Sequence, residues 1–122
     1  MSAGDIEAAL ARESDDASDL LALPEGQYFE RKSGRISAKD LAIPLVAMAN
    51  AEGGALVVGL HNGVVEGVDP RRVNALRQAA MDHTAPPVRV THEERVIGVA
   101  GEERTVLVIR VEPSDTASCS PR

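Results

Sequence analysis

The run Ala55-Leu-Val-Val-Gly-Leu60 constrains this chain more than any other segment. It has the length of a strand and no polar alternation, so both faces of the strand need cover, and it predicts a buried central strand. Gly59 within it predicts the close approach of another backbone. Asn62-Gly63 follows at once, a strong two-residue hairpin signal, and Val64, Val65 and Val68 are expected as the returning strand. Before the run, Ser37 opens a helix, with Asp40 three residues on as the acidic half of a capping box. Leu41, Leu45 and Met48 recur at helical spacing, and Glu52-Gly53-Gly54 closes the helix. Pro44 lies inside it, removes one backbone donor and is expected to bend it.

The rest of the pattern completes an α+β plan. Gln27 to Lys32 reads as a strand and Ser33-Gly34-Arg35 as a loop. Asp69-Pro70 reads as an N-cap followed by proline at the first helical position, and this second helix is expected to run to about His83 with Val73, Leu76 and Ala80 inward. Pro86-Pro87 stops it. Val88-Arg89-Val90 alternates as a strand. Glu94 to Val99 and Thr105 to Val111 are expected to close the domain as a hairpin turning at Gly101-Glu102. A helix between two strands implies one crossover, and the hairpins imply antiparallel additions. The expectation is a mixed sheet covered by two main helices, spanning 24–113. Residues 1–23 read as an acidic helical appendage, with Ser14 or Asp15 as a cap for a second turn, set off by the turn Pro24-Glu25-Gly26. Residues 114–122 read as a disordered tail.

Composition narrows the function. The only aromatics are Tyr28 and Phe29, so Val, Leu, Ile and Ala must build the core and no base-stacking platform exists. No apolar run approaches 18 residues, so no membrane span is expected. The first residues lack a basic and apolar leader, and Cys119 has no second cysteine to pair with, so a cytoplasmic setting is expected. No Gly-rich loop ending in Lys-Ser/Thr is present, so the chain is not expected to bind ATP by itself. His61, His83 and His92 lack metal-ligand spacing. The net charge of −6 is unevenly spread. Residues 1–25 hold seven acids and one base, whereas 26–92 hold eight bases and six acids. A mildly basic middle therefore lies between acidic ends.

Three stretches resemble the AlbA_2 domain of the Schlafen and divergent AAA-4 families. They are Glu25-Gly-Gln-Tyr-Phe-Glu30-Arg-Lys32, then Ala47-Met-Ala-Asn50-Ala-Glu-Gly53-Gly54 running into the apolar strand, and Asn62-Gly-Val-Val-Glu-Gly67-Val68. Arg31 stands where the family usually has an aromatic. The resemblance implies an Alba-like topology and a nucleic-acid-binding module, often joined to an ATPase-like domain that this chain does not contain.

Arg31, Lys32, Arg35 and Lys39 fall within nine residues, and each can meet a phosphate without reading sequence. The competing reading is that Arg31 and Lys32 pair with Glu30 or other acids. Arg71 and Arg72 are placed in the first turn of the second helix, where cations oppose the helix dipole and a bound anion would reconcile them. Asn50 is expected to bond the neighbouring loop. The resemblance also implies a nuclease alternative, because some Schlafen domains cleave RNA with two glutamates and an aspartate. Glu25 and Glu30 match the glutamates, but His61-Asn62 occupies the third position, and asparagine is a poorer ligand for Mg²⁺ or Mn²⁺. The expectation is therefore a non-catalytic regulatory or adaptor module that binds DNA or RNA, with no cofactor and no metal ligands. A degenerate metal-dependent ribonuclease is the enzyme alternative. A protein-interaction domain, its acidic leader covering the basic strand, is the third. A homodimer or partner protein is left open.

Overall fold

The central strand, β2 (Gly54–Val58), has neighbours on both edges and cover on both faces in the computed structural model, which describes residues 3–11, 20–114 and 120–121. On one edge lies β1 (Phe29–Lys32), parallel, in register from Phe29 opposite Ala55 to Lys32 opposite Val58. On the other edge lies β7 (Glu102–Val111), antiparallel, and beyond it β6 (Val90–Val99). The order β1-β2-β7-β6 is a mixed four-stranded sheet, and the fold is α+β. The crossover from β1 to β2 is α2 (Ala38–Asn50).

Strand alternation divides the core. Leu56 and Val58 of β2, with Leu107, Ile109 and Val111 of β7, face α2, whose Leu41, Leu45 and Met48 are buried against them. Ala55 and Val57, with Val106 and Val108, face the other way. This second face is covered by α1 (Ala3–Ala11) through Ile6 and Leu10, and by Leu20, Leu23 and Phe29. The apolar run is uninterrupted because it has two layers to satisfy. The helix of residues 3–11 is thus part of a core layer, and arginines from the sheet help hold it. Arg95 donates to the Leu10 carbonyl and to Glu93, while Arg110 bonds Glu7 at 2.7 Å and Glu93 at 3.1 Å. The Arg95 hydrogen bond, against the opposing effect of burial, keeps the Glu93 carboxyl below the ordinary glutamate range, and Arg110 adds to it.

Several local signals are realised. Ser37 caps α2, its hydroxyl accepting from the Asp40 N–H at 3.0 Å. Pro44 sits within the helix. Gly59 interrupts the strand at φ +115°, with Val106 Cγ1 only 3.1 Å from where a Cβ would stand. Its N–H donates to Lys32 and its carbonyl accepts from Glu66 and Gly67. Beyond it, β3 (Leu60–His61) and β4 (Val64–Val65) pair as a hairpin, Asn62 taking φ +51° in the turn. Val68 leaves that hairpin and donates to the Thr105 carbonyl of β7 instead.

Four expectations are corrected. The second helix is two short pieces, α3 (Val73–Arg77) and α4 (Ala79–Asp82), broken at Gln78; the break still leaves Val73, Leu76, Ala79 and Ala80 buried. Arg71 and Arg72 precede α3 rather than forming its first turn, because Asp69 and Pro70 make a separate turn closed by the Arg72 N–H on the Asp69 carbonyl. The long hairpin turns at Ala100-Gly101, one residue earlier than expected, with Val99 opposite Glu102. At the far end, Ser114 donates to the Ala49 carbonyl, and β8 (Ser120–Pro121) pairs with β5 (Thr84–Ala85) where the sequence reads as tail. The cap at Ser14 or Asp15, the leader's acids Glu13, Asp15, Asp16 and Asp19, and Cys119 lie outside the described residues.

Candidate functional site

The parallel pair β1 and β2 ends in two loops that diverge, and sheets of this kind leave a crevice beyond such strand ends. After Lys32 the chain enters Ser33–Ile36; after Val58 it enters the Gly59 break and the β3–β4 hairpin. Between them lies a cleft of about 690 Å³. Arg31, Lys32 and Arg35 line it from one side, His61 and Asn62 from the other, and Glu25 at its margin is the lone carboxylate among the lining residues. The Asn62 amide nitrogen lies 3.2 Å from His61 Nε2.

The three cations differ in freedom. Arg35 is 90% exposed, and its nearest acid, Glu66, is 3.9 Å away. Lys32 lies 3.0 Å from Glu30, each side chain about one-third exposed. Pairs of this kind are worth at most about 1 kcal/mol, so a phosphate can replace the glutamate at small cost. Arg31 is committed to the fold. It donates to the Leu21 carbonyl at 3.0 Å, reaches Glu25 at 3.4 Å and lies 5.3 Å over the Phe29 ring. Its buried Nε has no hydrogen-bond partner. An aromatic in this position would extend the core; the arginine instead fastens the segment before β1 to the strand.

Residues outside the cleft fix the loop that carries Arg35. Glu66 Oε1 accepts from both the Ser33 hydroxyl and the Gly34 N–H, each at 2.6 Å. The Ser33 bond chiefly lowers the Glu66 pKa; burial opposes it, and the Gly34 N–H, Arg35 and His61 add to the lowering. From the other side the Arg72 guanidinium donates to the Gly34 and Ile36 carbonyls. Gly34 is packed so closely on the Gly67 carbonyl that a Cβ would stand 2.0 Å from its oxygen. Arg72, expected as an anion contact, is therefore built into the loop as a brace. Arg71, 89% exposed, pairs with its own neighbour Asp69 at 3.0 Å. The pairing, led by the Arg71 side-chain hydrogen bond, keeps Asp69 below the ordinary aspartate range. Lys39 is exposed on the first turn of α2. Glu66 had no mark in the sequence as a site residue, since only the fold brings it to a loop 33 residues away.

The glutamates of the nuclease alternative are not brought together as a cation site. Glu25 borders the cleft but faces Arg31; Glu30 alternates to the other side of β1 and faces Lys32. Both carboxylates already have a cation, and among the described residues no three or more His, Cys, Asp or Glu side chains gather where a metal ion could be held. Glu25 and Glu30 lie beside different cations on different sides of β1, so they do not offer the convergent carboxylates that would hold Mg²⁺ or Mn²⁺ between protein and phosphate. Asn50 has an interaction within the fold. Among the described residues no helix is long and apolar enough to cross a membrane.

Residues 25–121 match the family model described as Schlafen, AlbA_2. No curated protein matches the chain.

Proposed function

The chain belongs to the Schlafen AlbA_2 family, and we propose that its cleft binds the sugar–phosphate backbone of a nucleic acid without cleaving it. The observation that carries this reading is the convergence of Arg31, Lys32 and Arg35 on one concave surface with a single carboxylate at its margin. Positive side chains that share a cleft attract phosphate far more effectively than the same number scattered over a surface. Arg35 and Lys32 make the phosphate contacts. Lys39 and Arg71, exposed cations outside the cleft lining, add to the positive field around it. Arg31 and Arg72 hold the walls. The chain acts as a regulatory or adaptor module, since binding of this kind positions a partner on nucleic acid without chemistry of its own.

The placement of Glu25 beside Arg31 and of Glu30 beside Lys32, on different sides of β1, favours binding over hydrolysis, because the two carboxylates do not converge on one metal ion. The test is fluorescence anisotropy with single- and double-stranded DNA and RNA at two salt concentrations. Lys32→Glu and Arg35→Glu should each weaken binding for every sequence. On duplex DNA each should also flatten the salt slope by about 0.9 for every phosphate no longer neutralised. Affinity and slope unchanged in both variants would refute the cleft as the site.

A further inference from the structure

At the other end of the sheet, where Val90 of β6 lies opposite Val111 and Val111 lies opposite Gly54, α4 and the start of β6 border a second hollow of about 460 Å³. Its buried lining is apolar, Ala80 and Val88, joined by half-buried Val90 and the exposed Pro87 and Met81. Met81 is 65% exposed, more than Ile43, Val64 or Val96, the other large apolar groups at the surface among the described residues. Two arginines, Arg77 and Arg89, make the lining basic, beside the polar Gln78 and His92. Among the described residues Arg89 pairs with Glu112 at 3.5 Å, both side chains being more than half exposed. In a chain of net charge −6, an apolar hollow with two arginines stands out from its surroundings.

We propose that this hollow docks an acidic amphipathic segment of a partner protein, an aliphatic side chain entering against Met81 while flanking carboxylates meet Arg77 and Arg89. Each half of that occupant answers a feature of the site. The apolar lining gains from burying an aliphatic group, and an unbranched methionine adapts to its shape. The arginines select carboxylates on either side of the anchor. A nucleic acid answers only the arginines, since it has no aliphatic group for the apolar lining and the hollow has no aromatic to stack a base. A second copy could offer Val96 beside Glu94 on one face of β6. That contact would join two different surfaces, giving a ring or an open chain according to the rotation between copies, and it offers the arginines one carboxylate where a flanked anchor offers several. The hollow lies at the opposite end of β2 from the cleft, so a partner here leaves the cleft open.

The experiment uses the full chain and a fluorescein-labelled peptide, acetyl-Glu-Glu-Leu-Asp-Leu-Leu-Glu-Glu-amide. Saturable binding is expected. Met81→Glu and Arg77→Glu should each weaken it about tenfold or more, as truncation of a buried anchor or charge pair does at interfaces. Replacing the peptide's leucines by serine should weaken it similarly, whereas Lys32→Glu in the cleft should leave it unchanged. Both protein variants alter exposed positions, and unchanged thermal unfolding confirms that they fold. No saturable binding, equal binding by Met81→Glu, or loss only with Lys32→Glu would overturn the proposal. So would concentration-dependent self-association of the wild type, as rings or as polymers, that Met81→Glu abolishes, which would assign the hollow to a second copy.

Discussion

Replacing Glu66 separates two effects of opposite sign. As a negative charge beside the cleft, Glu66 opposes phosphate binding; as the acceptor for Ser33 and Gly34, it holds the loop that presents Arg35. Both bonds go to one oxygen, so Glu66→Gln can keep them while removing the charge, whereas Glu66→Ala loses both. A hydrogen bond to a charged group contributes about 1.5–3 kcal/mol. The side chain is 23% exposed, so we take the lower part of that range and expect Glu66→Ala to lose about 2–3 kcal/mol and Glu66→Gln about 1 kcal/mol. The Arg35 pair adds almost nothing at 3.9 Å with Arg35 90% exposed. Removing a unit charge about 10 Å from a phosphate in water is worth about 0.4 kcal/mol, a factor of roughly two in affinity. Glu66→Gln should therefore bind nucleic acid about twofold more tightly. Glu66→Ala should bind about tenfold more weakly, because about 2 kcal/mol of loop ordering then falls on the binding step. Fluorescence anisotropy measures the affinities, and hydrogen exchange at the Gly34 amide measures the loop. Equal affinities in the two variants would refute the positioning role. The pH dependence has a definite sign. The folded-state pKa of Glu66 lies below its unfolded value, so its stabilisation is complete above the unfolded value and fades as the pH falls through the folded one. Gly34 protection should fall on acidification and not on raising the pH.

Arg72→Ala should lower stability by about 2–3 kcal/mol in urea unfolding, since two loop carbonyls lose a charged donor; Arg72→Lys should restore at most part of it, because lysine lacks the fork that spans both. Leu10→Ala should cost about 2–5 kcal/mol, as Leu10 is fully buried in the second core layer; a change below about 0.5 kcal/mol would show that residues 3–11 do not support the domain. Gly59→Ala should cost about 1–3 kcal/mol, from the strained φ and the nearby Val106, and a variant as stable as wild type would contradict the close approach seen there.

Local signals in the sequence are readable where one short stretch decides the structure. Ser37 with Asp40 marks a helix start because both partners lie in one turn, and Asn62-Gly63 marks a hairpin because the turn itself demands those residues. Gly59 reads as a close approach, though not what approaches. The break at Gln78 is not readable, because Val73, Leu76 and Ala80 suit one continuous helix and only the packing against α2 phases Ala79 as well. Ile6 and Leu10 look like an appendage because two large apolar residues are too few to announce a layer; their partners on β2, β6 and β7 lie far along the chain. The basic cluster of Arg31, Lys32 and Arg35 is visible as charge, with pairing to nearby acids as the competing reading. The distinction between free Arg35, exchangeable Lys32 and committed Arg31 depends on Glu25, Glu30, Glu66 and the Leu21 carbonyl, and only the fold assigns them.

Amide chemical-shift mapping of the ¹⁵N-labelled chain, titrated with a short DNA or RNA strand, tests the cleft most directly. The largest changes should fall on residues 31–36 and 60–63 and shrink as salt is added, with the β6–β7 turn unaffected. Changes centred on that turn or on the hollow at α4, or none at all at low salt, would contradict binding in the cleft.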